Sequence, residues 1–135
     1  MTYLVDANVL SEPTRPRPSE KVVAWLRKNE RNIAVDPIIL GELRFGILLL
    51  AKSRRREKLE EWFAKGAQRI NCIPFEAATA GIWAQLLATL RMRGKAMPVK
   101  DSLIAATALT HGLTVVTRNR ADFEKAGVKI LDPFD

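Results

Sequence analysis

Short apolar runs alternate with amphipathic stretches along this chain. The apolar runs have the length of short buried strands, and they cover residues 4–5, 33–36, 69–75, 113–117 and 128–131. The amphipathic stretches carry apolar side chains at helical spacing, and they predict helices after Ser19 and over residues 38–51, 53–65, 76–93, 101–111 and 120–126. Strands that alternate with helices form βαβ units with right-handed crossovers. We therefore predict an α/β fold, a three-layer α/β/α sandwich around a short parallel sheet of about four to five strands.

Polar and conformationally special residues mark the ends of several predicted helices. Ser19 and Pro37 suit the first turns of the helices that follow them, whereas Gly66 and Gly112 suit helix ends. Neither an internal repeat nor a linker-like segment divides the chain. We therefore predict one domain over residues 1–135, a length sufficient to bury a core.

Acidic residues occur where a parallel sheet of this kind binds ligands, beyond the carboxyl ends of its strands. Asp6 follows the first strand, and Asp122 lies a few residues beyond the fourth. Asp101 opens the helix that leads into the fourth strand, and Glu42 lies on the helix after the second. We expect all four side chains to converge on one edge of the sheet.

Each acid also has an ordinary structural interpretation. Asp6 suits a turn or a helix cap, Asp101 a helix N-cap, and Asp122 a solvated turn. Glu42 suits a helix surface, where it would pair with Arg44 or another basic residue. As a cluster, however, the carboxylates would repel one another, and a divalent cation removes that cost. Hard cations prefer oxygen ligands, so the pattern indicates Mg²⁺ or Mn²⁺ held for phosphodiester chemistry.

Charge and composition limit the partners. The net charge of +7 favours a polyanion or an acidic protein. Arg118 and Arg120 adjoin the last acid, so we expect them to bind substrate phosphate, whereas the basic cluster at residues 52–58 is either a solvated helix face or an RNA contact.

The single histidine and the single cysteine do not suggest a catalytic role. His111 has the position of a helix-end spectator, and Cys72 has the position of a small buried hydrophobic residue. The start lacks the features of a secretory signal, and the longest strongly apolar run, residues 45–51, is too short to cross a bilayer. We expect a cytoplasmic protein that does not contact a membrane.

Five motifs in order give the chain a resemblance to one family. They are Leu-Val-Asp-Ala-Asn-Val-Leu-Ser-Glu at 4–12, Gly-Glu-Leu-Arg-Phe-Gly at 41–46, Asp-Ser-Leu-Ile-Ala-Ala-Thr-Ala at 101–108, Val-Thr-Arg-Asn-Arg-Ala-Asp-Phe at 116–123, and Val-Lys-Ile-Leu-Asp-Pro-Phe at 128–134. The chain resembles, over essentially its full length, the PIN-domain ribonucleases that act as toxins of VapBC-type toxin–antitoxin pairs. The proline-rich loop at 11–18 is similar to the branch that includes the Fit toxin.

The resemblance implies a function and a set of site residues. It implies a Mg²⁺- or Mn²⁺-dependent endoribonuclease whose metal-binding, catalytic acids are Asp6, Glu42, Asp101 and Asp122. It implies that Asn8, Thr117 and Asn119 help to order the site. It also implies a homodimer, an RNA substrate, and an antitoxin whose tail blocks the cleft.

Three residues depart from the family pattern, and one of them is Ile39, which stands where Thr is common. Asp36 stands where Ser or Thr is usual, and it either adds to the metal site or caps the helix that begins at Pro37. Lys100, where small or neutral residues are frequent, either contacts substrate phosphate or points to solvent. Two rival functions remain open. One is a non-catalytic module that binds nucleic acid or an antitoxin. The other is a phosphohydrolase of the haloacid-dehalogenase type, which would need an acid in place of Asn8.

Overall fold

A five-stranded parallel sheet forms the centre of the computed structural model, which describes residues 2–135. The strands are β1 (Tyr3–Val5), β2 (Ile33–Val35), β3 (Asn71–Cys72), β4 (Thr114–Val116) and β5 (Ile130–Leu131). The helices are α1 (Ala7–Leu10), α2 (Glu20–Lys28), α3 (Pro37–Leu48), α4 (Arg54–Lys65), α5 (Ala77–Met92), α6 (Val99–His111) and α7 (Arg120–Glu124). Short 3-10 turns cover Glu12–Thr14, Glu30–Asn32 and Ala67–Arg69. The predicted α/β sandwich, a parallel sheet flanked by helices, is confirmed.

The strand order β3-β2-β1-β4-β5 places the first strand in the middle of the sheet. Leu4 pairs with Ala34 on one side and with Val115 on the other, and every pairing is parallel. Chain connections run outward from β1 in both directions, so β1 and β4 flank the point where the direction reverses. In open α/β sheets this point is where a cleft forms beyond the strand ends.

The central strands are buried because helices cover them. Leu4, Val5, Val115 and Val116 have no exposed surface, and Ile104 of α6 packs among them without any. Continuous apolar runs of this kind are typical of parallel strands that are covered on both faces. This rigid centre positions the loops that follow β1 and β4.

The predicted helix caps are largely confirmed. The Ser19 hydroxyl accepts a hydrogen bond from the Val22 amide at 3.3 Å, as predicted. Ser53, which was predicted inside α4, instead caps it through the Arg56 amide at 3.2 Å. Gly112 ends α6 with a φ of 64°, a left-handed conformation that glycine adopts without strain. Among the helices that residues 2–135 form, none combines the length and the apolar character that crossing a bilayer requires.

Several predicted boundaries are wrong. The third strand, predicted over 69–75, contains only Asn71–Cys72, because it is an edge strand with one neighbour. Cys72 is exposed there, so the prediction of a buried thiol is wrong. Helix α6 begins at Val99 directly after Pro98, which places Asp101 inside the first turn rather than at the N-cap. Proline favours this early start because its fixed φ is compatible with helix initiation.

Candidate active site

Asp6 lies at the carboxyl end of the central strand and is 2% exposed. Its Oδ1 accepts a hydrogen bond from the Ala7 amide at 2.8 Å, which caps α1. Its Oδ2 accepts hydrogen bonds from the Thr117 hydroxyl at 2.8 Å and from the Asn8 side-chain amide at 3.4 Å. Burial, followed by the charge of Glu42, raises the pKa of Asp6 to about 6, although these hydrogen bonds favour the ionised form. Asp6 is therefore an anion held against an unfavourable environment.

Thr117, which follows β4, fixes the orientation of Asp6. Its Oγ1 accepts hydrogen bonds from the Asn119 backbone amide at 2.9 Å and from the Asn8 side chain at 3.4 Å. A hydroxyl has one proton and two acceptor positions, so with both acceptor positions filled the proton is directed to Asp6. The side-chain oxygen of Asn8, Oδ1, in turn accepts a hydrogen bond from the Arg118 backbone amide at 3.1 Å. The loops after β1 and β4 are thus locked together around one carboxylate.

Asp101 brings a second carboxylate to the same region from α6. Its Oδ2 accepts a hydrogen bond from the Asn119 side-chain amide at 3.1 Å. Its Oδ1 is buried and has no hydrogen-bond partner within residues 2–135; the Lys100 ammonium lies 3.8 Å away. Burial raises the pKa of Asp101, the charges of Asp122 and Glu42 raise it further, and Lys100 partly opposes the shift. A buried carboxylate oxygen without a proton donor is costly unless a ligand satisfies it.

Glu42, on α3, contributes the third carboxylate. Its Oε2 accepts a hydrogen bond from the Lys100 ammonium. Its Oε1 is the other buried side-chain oxygen that lacks a hydrogen-bond partner within residues 2–135. Of the partners expected for Glu42, Arg44 or another basic residue, the structure has the second, Lys100, while Arg44 pairs with Glu60. Three separate segments therefore contribute acids whose charges influence one another.

The fourth acid is partly exposed. Asp122 lies in the first turn of α7 and is 3.8 Å from the Lys125 ammonium, while its charge acts on Asp101. As the side chains stand, no three His, Cys, Asp or Glu groups of residues 2–135 are close enough to hold one ion. We attribute this spacing to the donors that hold individual carboxylate oxygens, above all Lys100. The acids are gathered at one edge of the sheet, but their oxygens do not surround a common centre.

The profile of the PIN domain family matches residues 3–129. The chain belongs to the PIN-domain family. Toxin FitB from Neisseria gonorrhoeae is 38% identical, over 97% of each chain. VapC ribonuclease Y4jK from Sinorhizobium fredii is 33% identical, over 98% of this chain and 97% of its own. The crystal structure of FitAcB from Neisseria gonorrhoeae superposes with a TM-score of 0.89 at 37% identity, covering 98% of this chain and 99% of the other. The chain is thus a PIN-domain protein of the VapC toxin type.

Most residues predicted for the PIN site lie together in the structure. Thr117 and Asn8 are hydrogen-bonded to Asp6, and Asn119 is hydrogen-bonded to Asp101. Arg118 and Arg120 are exposed next to this network. The Arg118 guanidinium lies 4.4 Å from the centre of the Phe134 ring, and Arg120 is 3.8 Å from Glu124. The metal ligation and the phosphate contacts stay predictions.

Two of the three departures from the PIN pattern, Asp36 and Lys100, have clear structural roles. Asp36 is fully buried; its Oδ1 caps α3 through the Ile39 amide at 2.9 Å, and its Oδ2 accepts from the Thr107 hydroxyl at 2.8 Å. Both oxygens are therefore used, which favours the capping interpretation. Lys100 is partly exposed, but its ammonium binds Glu42 rather than standing free for phosphate. The sequence carries no signal for that contact, since it joins residues 58 positions apart.

Proposed function

We propose that this protein is a Mg²⁺- or Mn²⁺-dependent endoribonuclease, the toxin of a toxin–antitoxin pair. The observation that carries the proposal is the cluster of acids from separate segments, in which two buried carboxylate oxygens have no hydrogen-bond partner. The family and the ribonuclease name of one relative support the same activity. RNA is the substrate class that both the name and the net charge of +7 favour.

The donor set fits a hard divalent cation. Glu42 Oε1 and Asp101 Oδ1 are free to ligate, and carboxylate oxygens are the ligands that Mg²⁺ and Mn²⁺ prefer. Asp6, Glu42 and Asp101 would hold the metal, with Asp122 acting from further away. When bound, the metal activates water and neutralises phosphate charge. A cation would also relieve the repulsion that raises the pKa of Asp6 and Asp101.

The chain's own residues prepare the site for this chemistry. Thr117 and the Ala7 amide hold both oxygens of Asp6, which keeps this carboxylate in one orientation. Asn119 holds one oxygen of Asp101 and leaves the other free. Preorganised ligands of this kind reduce the reorganisation that substrate binding would otherwise require. The dehalogenase-type alternative loses support, because Asn8 is engaged at both ends of its amide.

Substrate contacts would come from the basic loop beside the acids. Arg118 and Arg120 follow Thr117 directly and are exposed, so their guanidinium groups can reach a phosphate at the cleft. The stacking of Arg118 on Phe134 restricts that side chain and reduces the entropy lost on binding. Phosphate contacts of this kind determine affinity rather than sequence preference.

An antitoxin tail has a groove available next to the same acids. This groove, of about 530 Å³, lies between α1, α3 and α4, and its lining includes Asn8, Glu42, Ile47, Arg55 and Trp62. Toxin FitB and the FitAcB structure support the assignment of a protein partner. We infer that the antitoxin tail occupies the groove and covers the cleft, and that the toxin forms a homodimer.

The test is cleavage of labelled RNA by the purified protein with Mg²⁺, before and after EDTA treatment. We expect cleavage to stop in EDTA and to return with Mg²⁺ or Mn²⁺. Asp101→Asn should abolish cleavage while preserving the fold, measured by circular dichroism. Glu61→Gln is the matched control, because it removes one negative charge from an exposed helix position. Cleavage that survives exhaustive chelation would exclude the metal-dependent mechanism, and equal rates of cleavage for both variants would exclude Asp101 from the site. A folded wild type that cleaves no RNA under any of these conditions would favour a non-catalytic binding module.

A further inference from the structure

Lys100 connects two elements that each contribute an acid to the cleft. It lies in the first turn of α6, and its ammonium donates a hydrogen bond to Glu42 Oε2 on α3. The same ammonium is 3.8 Å from Asp101 Oδ1. The Lys100 side chain is 44% exposed and that of Glu42 27%, so the contact lies at the mouth of the cleft rather than deep within it.

The environment keeps this ammonium charged. Burial opposes the charge, but the hydrogen bond to Glu42 and the charges of Glu42, Asp101 and Asp6 outweigh it and raise the pKa of Lys100. A positive charge is therefore present among the acids at neutral pH. It compensates part of the repulsion that a metal would otherwise have to remove.

Lys100 also occupies one carboxylate oxygen of the acidic cluster. Glu42 gives one oxygen to the ammonium, and three ligating groups do not come within range of a single ion in residues 2–135. A lysine ammonium is a compact point charge on a flexible stem, so it can leave the carboxylates without disturbing α6. The remaining buried oxygens, Glu42 Oε1 and Asp101 Oδ1, lie beside the ammonium without a hydrogen-bond partner.

We propose that Lys100 is a tethered cation that competes with the divalent metal for Glu42 and Asp101. The inference rests on the metal site of the proposed function. In the metal-free protein the ammonium stabilises the acidic cluster, and metal entry requires its displacement from Glu42. Lys100 thereby raises the metal concentration at which the site fills, and it keeps the empty site folded.

The test measures Mn²⁺ binding by electron paramagnetic resonance and by calorimetry, without RNA, for wild type and for Lys100→Met. Removing the ammonium should tighten Mn²⁺ binding roughly tenfold, since both a competing hydrogen bond and a nearby like charge are lost. The same change should lower the melting temperature of the metal-free protein in EDTA. Lys100→Gln, a second neutral variant, should shift both quantities in the same directions.

Lys95→Met provides the matched control. Lys95 is exposed, and its loss changes the net charge by the same amount. It should leave Mn²⁺ affinity close to that of wild type. In a Glu42→Gln background, Lys100→Met should no longer lower the metal-free melting temperature, because the partner of the ammonium is gone.

The outcomes separate this inference from the proposed function. If wild type binds Mn²⁺ and Asp101→Asn abolishes that binding, the metal site stands. Equal or weaker Mn²⁺ binding by Lys100→Met than by wild type would then overturn the role of Lys100 alone. A shift of equal size for Lys95→Met would also overturn it, because a general charge effect would suffice. If wild type binds no Mn²⁺ at all, both the metal-dependent function and this inference fail.

Discussion

Replacement of Asp6 by Asn should make the metal-free protein more stable at neutral pH relative to wild type. Asp6 is 2% exposed, and its pKa is raised from 3.8 to about 6 by burial and by the neighbouring carboxylates. The folded state therefore binds this proton more tightly than the unfolded state does. The stabilisation that protonated Asp6 gives to the folded state is fully present below pH 3.8, and it is lost as the pH rises through about 6.

The size of the effect follows from the shift. Each pKa unit corresponds to about 1.4 kcal/mol, so the shift of Asp6 removes about 3 kcal/mol of wild-type stability between acid and neutral pH. Asp6→Asn has no such proton to lose. The stability of the variant minus that of wild type should therefore rise by about 3 kcal/mol across the same range. The change with pH isolates the charge, whereas the absolute difference also includes altered hydrogen bonds to Thr117.

The assay is urea unfolding in EDTA at a series of pH values from about 4 to about 7. Asp135→Asn, an exposed position at the C-terminus, is the matched control and should follow wild type throughout. At neutral pH, Mg²⁺ should stabilise wild type but not Asp6→Asn, since binding to the folded state adds stability. A stability difference that stays constant with pH within about 0.5 kcal/mol would show that burial of the Asp6 charge is not costly.

The remaining predictions concern three other features. Asp122→Asn should slow RNA cleavage less than loss of any other acid does, because we expect Asp122 to be an outer ligand that acts through water; an equal loss in single-turnover assays would contradict this. Asp36→Ser should retain cleavage but cost about 1 kcal/mol in urea unfolding, because Ser still caps α3 while Thr107 loses a partner; lost cleavage in the folded variant would instead make Asp36 part of the site. In a non-cutting background, Arg118→Ala should flatten the salt dependence of RNA affinity by roughly 0.7 log units per phosphate contact. Alanine changes at residues 54–56 should flatten it less, and the reverse order would relocate the RNA path.

The gathering of the acids was predictable because it depends on topology. Parallel strands end at a common edge, so residues that follow β1 and β4 must lie near each other whatever their side chains do. Asp6 and Thr117 follow this rule, and they are hydrogen-bonded at 2.8 Å. Helix caps were predictable because they are local in sequence. Ser19, for example, accepts its hydrogen bond from an amide only three residues away.

Features that depend on side-chain reach or on neighbours in space were not predictable. The Lys100–Glu42 contact joins two helices whose relative position the sequence does not determine. Cys72 lies among apolar residues in sequence, but β3 is an edge strand and leaves the thiol exposed. The start of α6 moved two residues because Pro98 initiates the helix, which changed Asp101 from a predicted cap into a first-turn residue.

The central position of β1 has a consequence for the synthesis of the chain. Strand β1 leaves the ribosome first, yet its partner β4 begins at Thr114, and the hydroxyl that orients Asp6 lies 111 residues downstream. At roughly 5–20 residues per second, several seconds of translation separate the two. A nascent chain that lacks β4 and α7 has only part of the acidic cluster and no hydroxyl to hold Asp6. The complete cleft can therefore form only after β4 and α7 have been made, even though Asp6 is synthesised long before them.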